Sequence, residues 1–154
     1  GCYGEYDPVH TRDMILEAFA NGSRGVTYYW YGHFDAAHFK YHAEAIDIVA
    51  PVEDLFMDGT PLLQLTCSHG KAKVCGMGVG DEKAILVSNY TGLPVGTKIT
   101  VQTTAQGGVP VWDLHSGKRI GKTDRGGAFQ VPLGNYAAHM YYLGKAYAAS
   151  VVGK

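Results

Sequence analysis

Hydrophobic spacing changes period once along this chain, near residue 61, and that change bounds what the chain can fold into. Ahead of it, apolar residues recur at helical spacing between short apolar runs. Beyond it, short alternating or apolar runs are separated by Gly, Pro, Asn and Asp at intervals of roughly 8–12 residues. In the first part, Cys2 to Glu5 reads as a strand end. Asp7 can cap the next helix, with Pro8 at its first position. Ile15, Leu16 and Phe19 give that helix an apolar stripe, and Asn21-Gly22 stops it. Gly25-Val26-Thr27-Tyr28-Tyr29-Trp30-Tyr31 is nearly continuous in β-branched and aromatic residues, as a strand buried on both faces would be. Asp35 caps a second helix whose stripe is expected through Phe39, Ala43, Ile46 and Val49-Ala50, and Pro51 ends it.

A strand–helix–strand unit with a right-handed crossover places its strands parallel and side by side, with both C-terminal ends on one face. That is the face where α/β enzymes keep their chemistry. Two parallel strands with two helices cannot close by themselves, because sheet edges stay unpaired and apolar strand faces stay uncovered. Residues 1–61 therefore predict a sheet completed by an upstream segment or by partners in a homo-oligomer. The opening Gly-Cys-Tyr-Gly has neither initiator Met nor signal peptide, which points to the same expectation of an upstream polypeptide.

Residues 62–154 predict strands near Leu62–Cys67, Lys73–Val79, Ala84–Tyr90, Lys98–Thr103, Val109–Leu114, Lys118–Gly121, Ala128–Leu133 and Tyr136–Leu143, an antiparallel β-sandwich. Turn signals stand at Gly107-Gly108, Ser116-Gly117 and Asp124-Arg125-Gly126-Gly127. Gly76-Met77-Gly78-Val79-Gly80 lacks the Lys and helix of a phosphate loop and reads as a strand with its turn. The fold class is thus α+β. A 46% apolar and 18% charged composition excludes disorder, and a net charge of −1 gives no footprint for nucleic acid. No apolar run reaches membrane-spanning length.

Cys67 and Cys75 flank a reversal near Gly70 and are read either as a disulfide across a hairpin or as two buried thiols. Asn21-Gly22-Ser23 and Asn89-Tyr90-Thr91 are glycosylation sequons, in keeping with a secreted, extracellular or periplasmic protein. His38 and His42 are four apart on a helix, but no Glu or Cys pair supports a metal site, and they read as surface or boundary side chains. No metal or other cofactor is expected. His33 and Asp35, just beyond the second strand, are candidate ligand-binding residues on the face where its C-terminal end opens.

The order Cys2-Tyr3-Gly4-Glu5-Tyr6, then Tyr28-Tyr29-Trp30-Tyr31-Gly32-His33, then Ala50-Pro51-Val52-Glu53-Asp54-Leu55-Phe56-Met57-Asp58-Gly59 resembles the end of a retaining-clan (β/α)8-barrel glycoside hydrolase running into its C-terminal β-sandwich. Val111-Trp112-Asp113-Leu114-His115-Ser116-Gly117-Lys118 and Gly127-Ala128-Phe129-Gln130-Val131-Pro132-Leu133 resemble the β domains of such enzymes. The resemblance implies a βαβα barrel tail over 1–61 and an accessory sandwich over 62–154. It makes Glu5 the nucleophile and Trp30 an aromatic sugar platform, with Tyr28 beside it. The second carboxylate of a retaining mechanism would lie on an earlier strand that this chain lacks, so the fragment alone is expected to be inactive. Carbohydrate is the expected partner. The competing reading is a non-catalytic extracellular carbohydrate-binding or assembly module.

Overall fold

The computed structural model describes residues 7–27, 34–90, 92–134 and 138–145. Helices α1 (Val9–Ala20) and α2 (Ala36–Val49) lead through a 3-10 turn (Ala50–Val52) into the short α3 (Glu53–Met57). Nine strands follow: β1 (Thr60–Pro61), β2 (Thr66–Cys67), β3 (Lys73–Val79), β4 (Glu82–Ser88), β5 (Lys98–Gln102), β6 (Pro110–Asp113), β7 (Lys118–Lys122), β8 (Ala128–Pro132) and β9 (Ala138–Leu143). They form a six-stranded sheet in the order β1-β3-β4-β9-β6-β7 and a three-stranded sheet in the order β2-β5-β8. Every pairing is antiparallel. The α+β class and the β-sandwich expected from the spacing are what the chain forms.

The larger sheet is the middle of three layers. Along β4, Ala84 and Leu86 point to the helices while Ile85 and Val87 point to the smaller sheet, and β9 repeats this with Met140 and Tyr142 against Tyr141 and Leu143. Alternate side chains thus enter opposite cores. This is why β4 reads as an unbroken apolar run although its neighbours are antiparallel. The helix-side core gathers Ile15, Leu16, Ala45, Val49, Leu55 and Phe56 over Met77, Leu86, Met140 and Tyr142. The inter-sheet core packs Ile99, Val101, Phe129 and Val131 against Ile85, Val111 and Leu143. Each fully buried large aliphatic or aromatic side chain contributes about 1.5–3 kcal/mol, so both layers are needed to hold the central sheet.

Two local features fix the sheet register. Gly80 begins the β3–β4 turn at φ +54°, a left-handed conformation that a Cβ resists. Gly76, on β3 opposite Ile85, lies so close to β4 that a Cβ there would overlap the Ala84 carbonyl oxygen.

The structure departs from the sequence reading in three places. Most of the α2 face expected to be apolar and buried is turned outward: Phe39 is 59% and Ile46 40% exposed, and Val49 alone of that stripe is buried, together with Ala45 and Ile48. The helix is placed by its contacts with α1, and residues such as Tyr41 and His42 share the covered side with Ala45. The strand expected over Leu62–Cys67 is reduced to β2, Thr66–Cys67, on the small sheet, because the chain leaves β1 on the large sheet at Pro61 and crosses between sheets over residues 62–65. For the same reason Cys67 and Cys75 do not face each other. Cys67 pairs with Val101 in one sheet and Cys75 with Leu86 in the other, and both are free thiols. The Cys67 thiol donates toward the carbonyl oxygens of Ala72 (3.2 Å) and His69 (3.3 Å).

Candidate functional site

Of the residues singled out by sequence, Glu5, Tyr28, Trp30 and His33 lie outside the described residues. Asp35 lies within them and is the N-cap of α2. Its Oδ1 accepts the amides of Ala37 (2.9 Å) and His38 (3.1 Å) and meets the His38 ring at 2.9 Å. His38 Nδ1 in turn faces the Asp35 amide at 3.4 Å, closing a reciprocal capping box. The bond from the His38 ring, and then the His38 amide, holds the Asp35 carboxyl below its usual range. His38 is therefore a capping partner. Among the described residues no group of three His, Cys, Asp or Glu side chains is placed to hold a metal ion, and no helix is long and apolar enough to cross a membrane.

Both sequon asparagines are used in turns. Asn21, the exposed C-cap of α1, donates its amide to the Glu17 carbonyl at 2.8 Å. Asn89 bridges its loop by accepting from the Leu93 amide (2.9 Å) and donating to the Leu93 carbonyl (3.0 Å).

The structure brings together a set of polar residues that the sequence reading did not group. On α1, Asp13, Glu17 and Asn21 recur every four residues and so line one face of the helix over the sheet. Glu17 Oε2 accepts the Tyr90 hydroxyl at 2.9 Å, and Asn21 Nδ2 lies 3.6 Å from Cys75 Sγ. Burial, then the Glu17 charge, pushes the Cys75 thiol up to about 11, so it is not an activated nucleophile. Asp13 is 2% exposed and is held on Oδ1 by the neighbouring Arg12, itself 4% exposed, at 3.0 and 3.2 Å. Among the described residues Asp13 Oδ2 is buried without a hydrogen bond of ordinary length. Burial outweighs Arg12 and raises the Asp13 carboxyl above the ordinary range.

A second group stands where β6 ends and β9 begins. Asp113 Oδ1 meets His139 Nε2 at 2.7 Å and accepts the His115 amide at 2.9 Å, while Oδ2 accepts the Ser116 hydroxyl at 2.7 Å. Burial alone would raise the Asp113 carboxyl. The bonds from His139, Ser116 and the His115 amide reverse that and leave it well below the carboxylate range. The rings of His115 and His139 stack at 3.9 Å, and His115 Nε2 accepts the Met140 amide at 3.2 Å, which requires a neutral ring. Burial, then the His139 charge, lowers His115 to about 3. Ser116 bonds the carboxylate directly, so the group is not an acyl-transfer triad. It locks the β6–β9 junction. An Asp-x-His-Ser run ahead of Gly117 signals the local turn, but His139, on a strand far along the chain, carries no local sign of joining it.

No family model matches this sequence, and no curated protein matches it. Solved structures do. A protein of Bacillus halodurans C-125 described as a candidate α-N-acetylgalactosaminidase aligns over 91% of this chain with a TM-score of 0.61 at 8% identity. A GH27 β-L-arabinopyranosidase from Geobacillus stearothermophilus, solved with arabinose, aligns over 92% with a TM-score of 0.56 at 11% identity. The chain spans about a third of each, 33% and 32%. At such identities the likeness is one of fold: this α+β arrangement and its sandwich are shared with glycoside hydrolases.

Proposed function

We propose that this chain is the C-terminal part of an exported carbohydrate-active hydrolase that cleaves glycosidic bonds by a retaining, two-carboxylate mechanism. The observation that carries the reading is the fold match over nine-tenths of the chain to two glycoside hydrolases, each about three times its matched length. The order of the quoted motifs supports it from the sequence side. Glu5 acts as nucleophile at the end of one barrel strand. Trp30 on the next offers an aromatic face to the C–H face of a sugar ring, with Tyr28 and His33 beside it. Asp35, its carboxylate already fixed by the α2 cap, contributes at the rim. The acid/base carboxyl comes from the upstream barrel, about 5 Å from the nucleophile when assembled, so this chain alone does not hydrolyse glycosides.

The test is Glu5→Gln in the full-length parent, assayed on a panel of nitrophenyl glycosides and polysaccharides with circular dichroism as the folding control. Hydrolysis should vanish while the spectrum stays unchanged. Retained turnover would remove Glu5 from the mechanism, and no turnover by the wild-type parent on any glycoside would remove the enzymatic reading.

A further inference from the structure

Strand β7 is the outer strand of the six-stranded sheet and pairs, among the described residues, with β6 alone. All five of its residues, Lys118, Arg119, Ile120, Gly121 and Lys122, are exposed, and Arg125 follows, also exposed, in the next turn. Four of the chain's 13 cationic side chains thus sit within eight residues, and none forms a salt bridge among the described residues. The one acid within this stretch, Asp124, accepts the amides of Gly126 (2.8 Å) and Ala128 (2.9 Å) on Oδ1, and Asp113, opposite Lys118 on β6, is taken by His139 and Ser116. Arg119 spends one donor, Nε, on the Gly121 carbonyl at 3.2 Å, which leaves the outer edge of its guanidinium for a carboxylate or sulfate.

Lysines on an edge strand commonly serve to block strand-to-strand pairing. Here the cations also reach both sides of the edge. The β6–β7 register shifts at Ile120, so β7 bends there, with Lys118 on the side of Asp113 and Arg119 and Lys122 on that of Trp112 and Pro110. Long side chains from both sides can close on a polymer lying along the edge. Ile120 is the only large apolar side chain exposed on this edge, at 45%, so it lacks the apolar centre of a protein interface. A net charge of −1 supplies no broad positive field to draw in duplex nucleic acid. An extended, hydrated polyanion with charges spaced along a flexible chain needs neither.

From this arrangement we infer that the β7 edge, Lys118, Arg119 and Lys122 with Arg125 beside them, binds an anionic polysaccharide through its carboxylate or sulfate groups. The choice of a polysaccharide over other polyanions rests on the proposed carbohydrate function, and names its substrate class as acidic glycans.

The experiment is affinity electrophoresis of the protein through gels holding polygalacturonate or heparin, with neutral galactan and duplex DNA as controls. The protein should be retarded by one or both acidic glycans and not by galactan, and added salt should abolish the effect. The variant Lys118→Ser/Arg119→Ser/Lys122→Ser, altered only at exposed positions, should bind about tenfold more weakly with an unchanged melting temperature. Unchanged binding by this variant, equal retardation by galactan or by DNA, or no retardation at all would overturn the assignment. So would a concentration-dependent dimer lost in the variant, because the edge would then be pairing with a second copy. If Glu5→Gln abolishes hydrolysis but no acidic glycan is bound, the edge proposal fails alone. If glycan binding holds while Glu5→Gln stays active, the catalytic reading fails alone.

Discussion

The two faces of the six-stranded sheet solve the same burial problem in different ways. The face toward the small sheet packs its apolar core beside Lys83, Asp113 and His139, and the buried threonine hydroxyls on that side of the molecule are paired. Thr103 donates to the Gly127 carbonyl (2.7 Å) and accepts the Ala105 amide (2.9 Å). Thr123 donates to the Gln106 carbonyl (2.7 Å) and accepts the Val109 amide (3.0 Å). The face toward the helices buries Arg12 and Asp13, and among the described residues Asp13 Oδ2 has no hydrogen bond of ordinary length. An unpaired buried oxygen costs about 1–3 kcal/mol. Polar groups on the inter-sheet side thus meet partners one for one, whereas the helix side holds a carboxyl that burial works against.

The contrast can be broken or sharpened by substitution. The largest effect is expected from Phe129→Ala, which empties part of the inter-sheet core and should lower unfolding stability by about 3–5 kcal/mol in urea titration. A loss below 1 kcal/mol would mean that core is loosely packed. On the other face, Arg12→Met strands Asp13 and should cost about 3 kcal/mol. Because the folded-state pKa of Asp13 is raised, its contribution is favourable at low pH and is lost as pH rises through that value. The Arg12→Met penalty should therefore be larger at pH 8 than at pH 4, and a pH-independent penalty would contradict the buried-pair account.

A smaller effect marks the β6–β9 junction. His115 is neutral when folded, with its pKa lowered from 6.5 to about 3, so its stabilisation is full above 6.5 and is lost as pH falls between the two. Between pH 6.5 and about pH 5 the stability of the wild-type protein should drop by about 2 kcal/mol beyond the drop shown by His115→Asn, whose amide oxygen can still accept from Met140. Parallel pH curves for the two proteins would refute it. Smallest, Thr123→Val should cost about 1–2 kcal/mol, because it leaves the Val109 amide and the Gln106 carbonyl without their partner. A neutral result would show that this face is less closed than its hydrogen bonds imply.

How much of this was legible in the sequence varied with the range of the interaction. Strand β3 spans the residues that its alternation and glycines indicated, and β5, β6, β7 and β8 fall within a residue or so of expectation, because turn residues bracket them. Asp35 caps α2 as its position before an apolar run suggested. The buried side of α2 was misjudged except at Val49, because Phe39, Ala43 and Ile46 lead to Val49 as well as Ala45 and Ile48 do, and only the packing against α1 decides between them. The crossing between sheets at residues 62–65 left no trace in composition, so a disulfide across a hairpin looked feasible for Cys67 and Cys75. The contacts of Glu17 with Tyr90 and of His139 with Asp113 join elements distant in the chain, which no local pattern announces. The proposed sugar-contacting residues Glu5, Tyr28, Trp30 and His33 were named from family likeness alone.

Gly76 has a consequence for comparing sequences. Any side chain there would push β3 away from Ala84. Structures that share this fold at 8–11% identity give alignment scores little to grip, yet the threading of another sequence onto this β3–β4 ladder can be rejected wherever it seats a bulkier residue opposite Ile85.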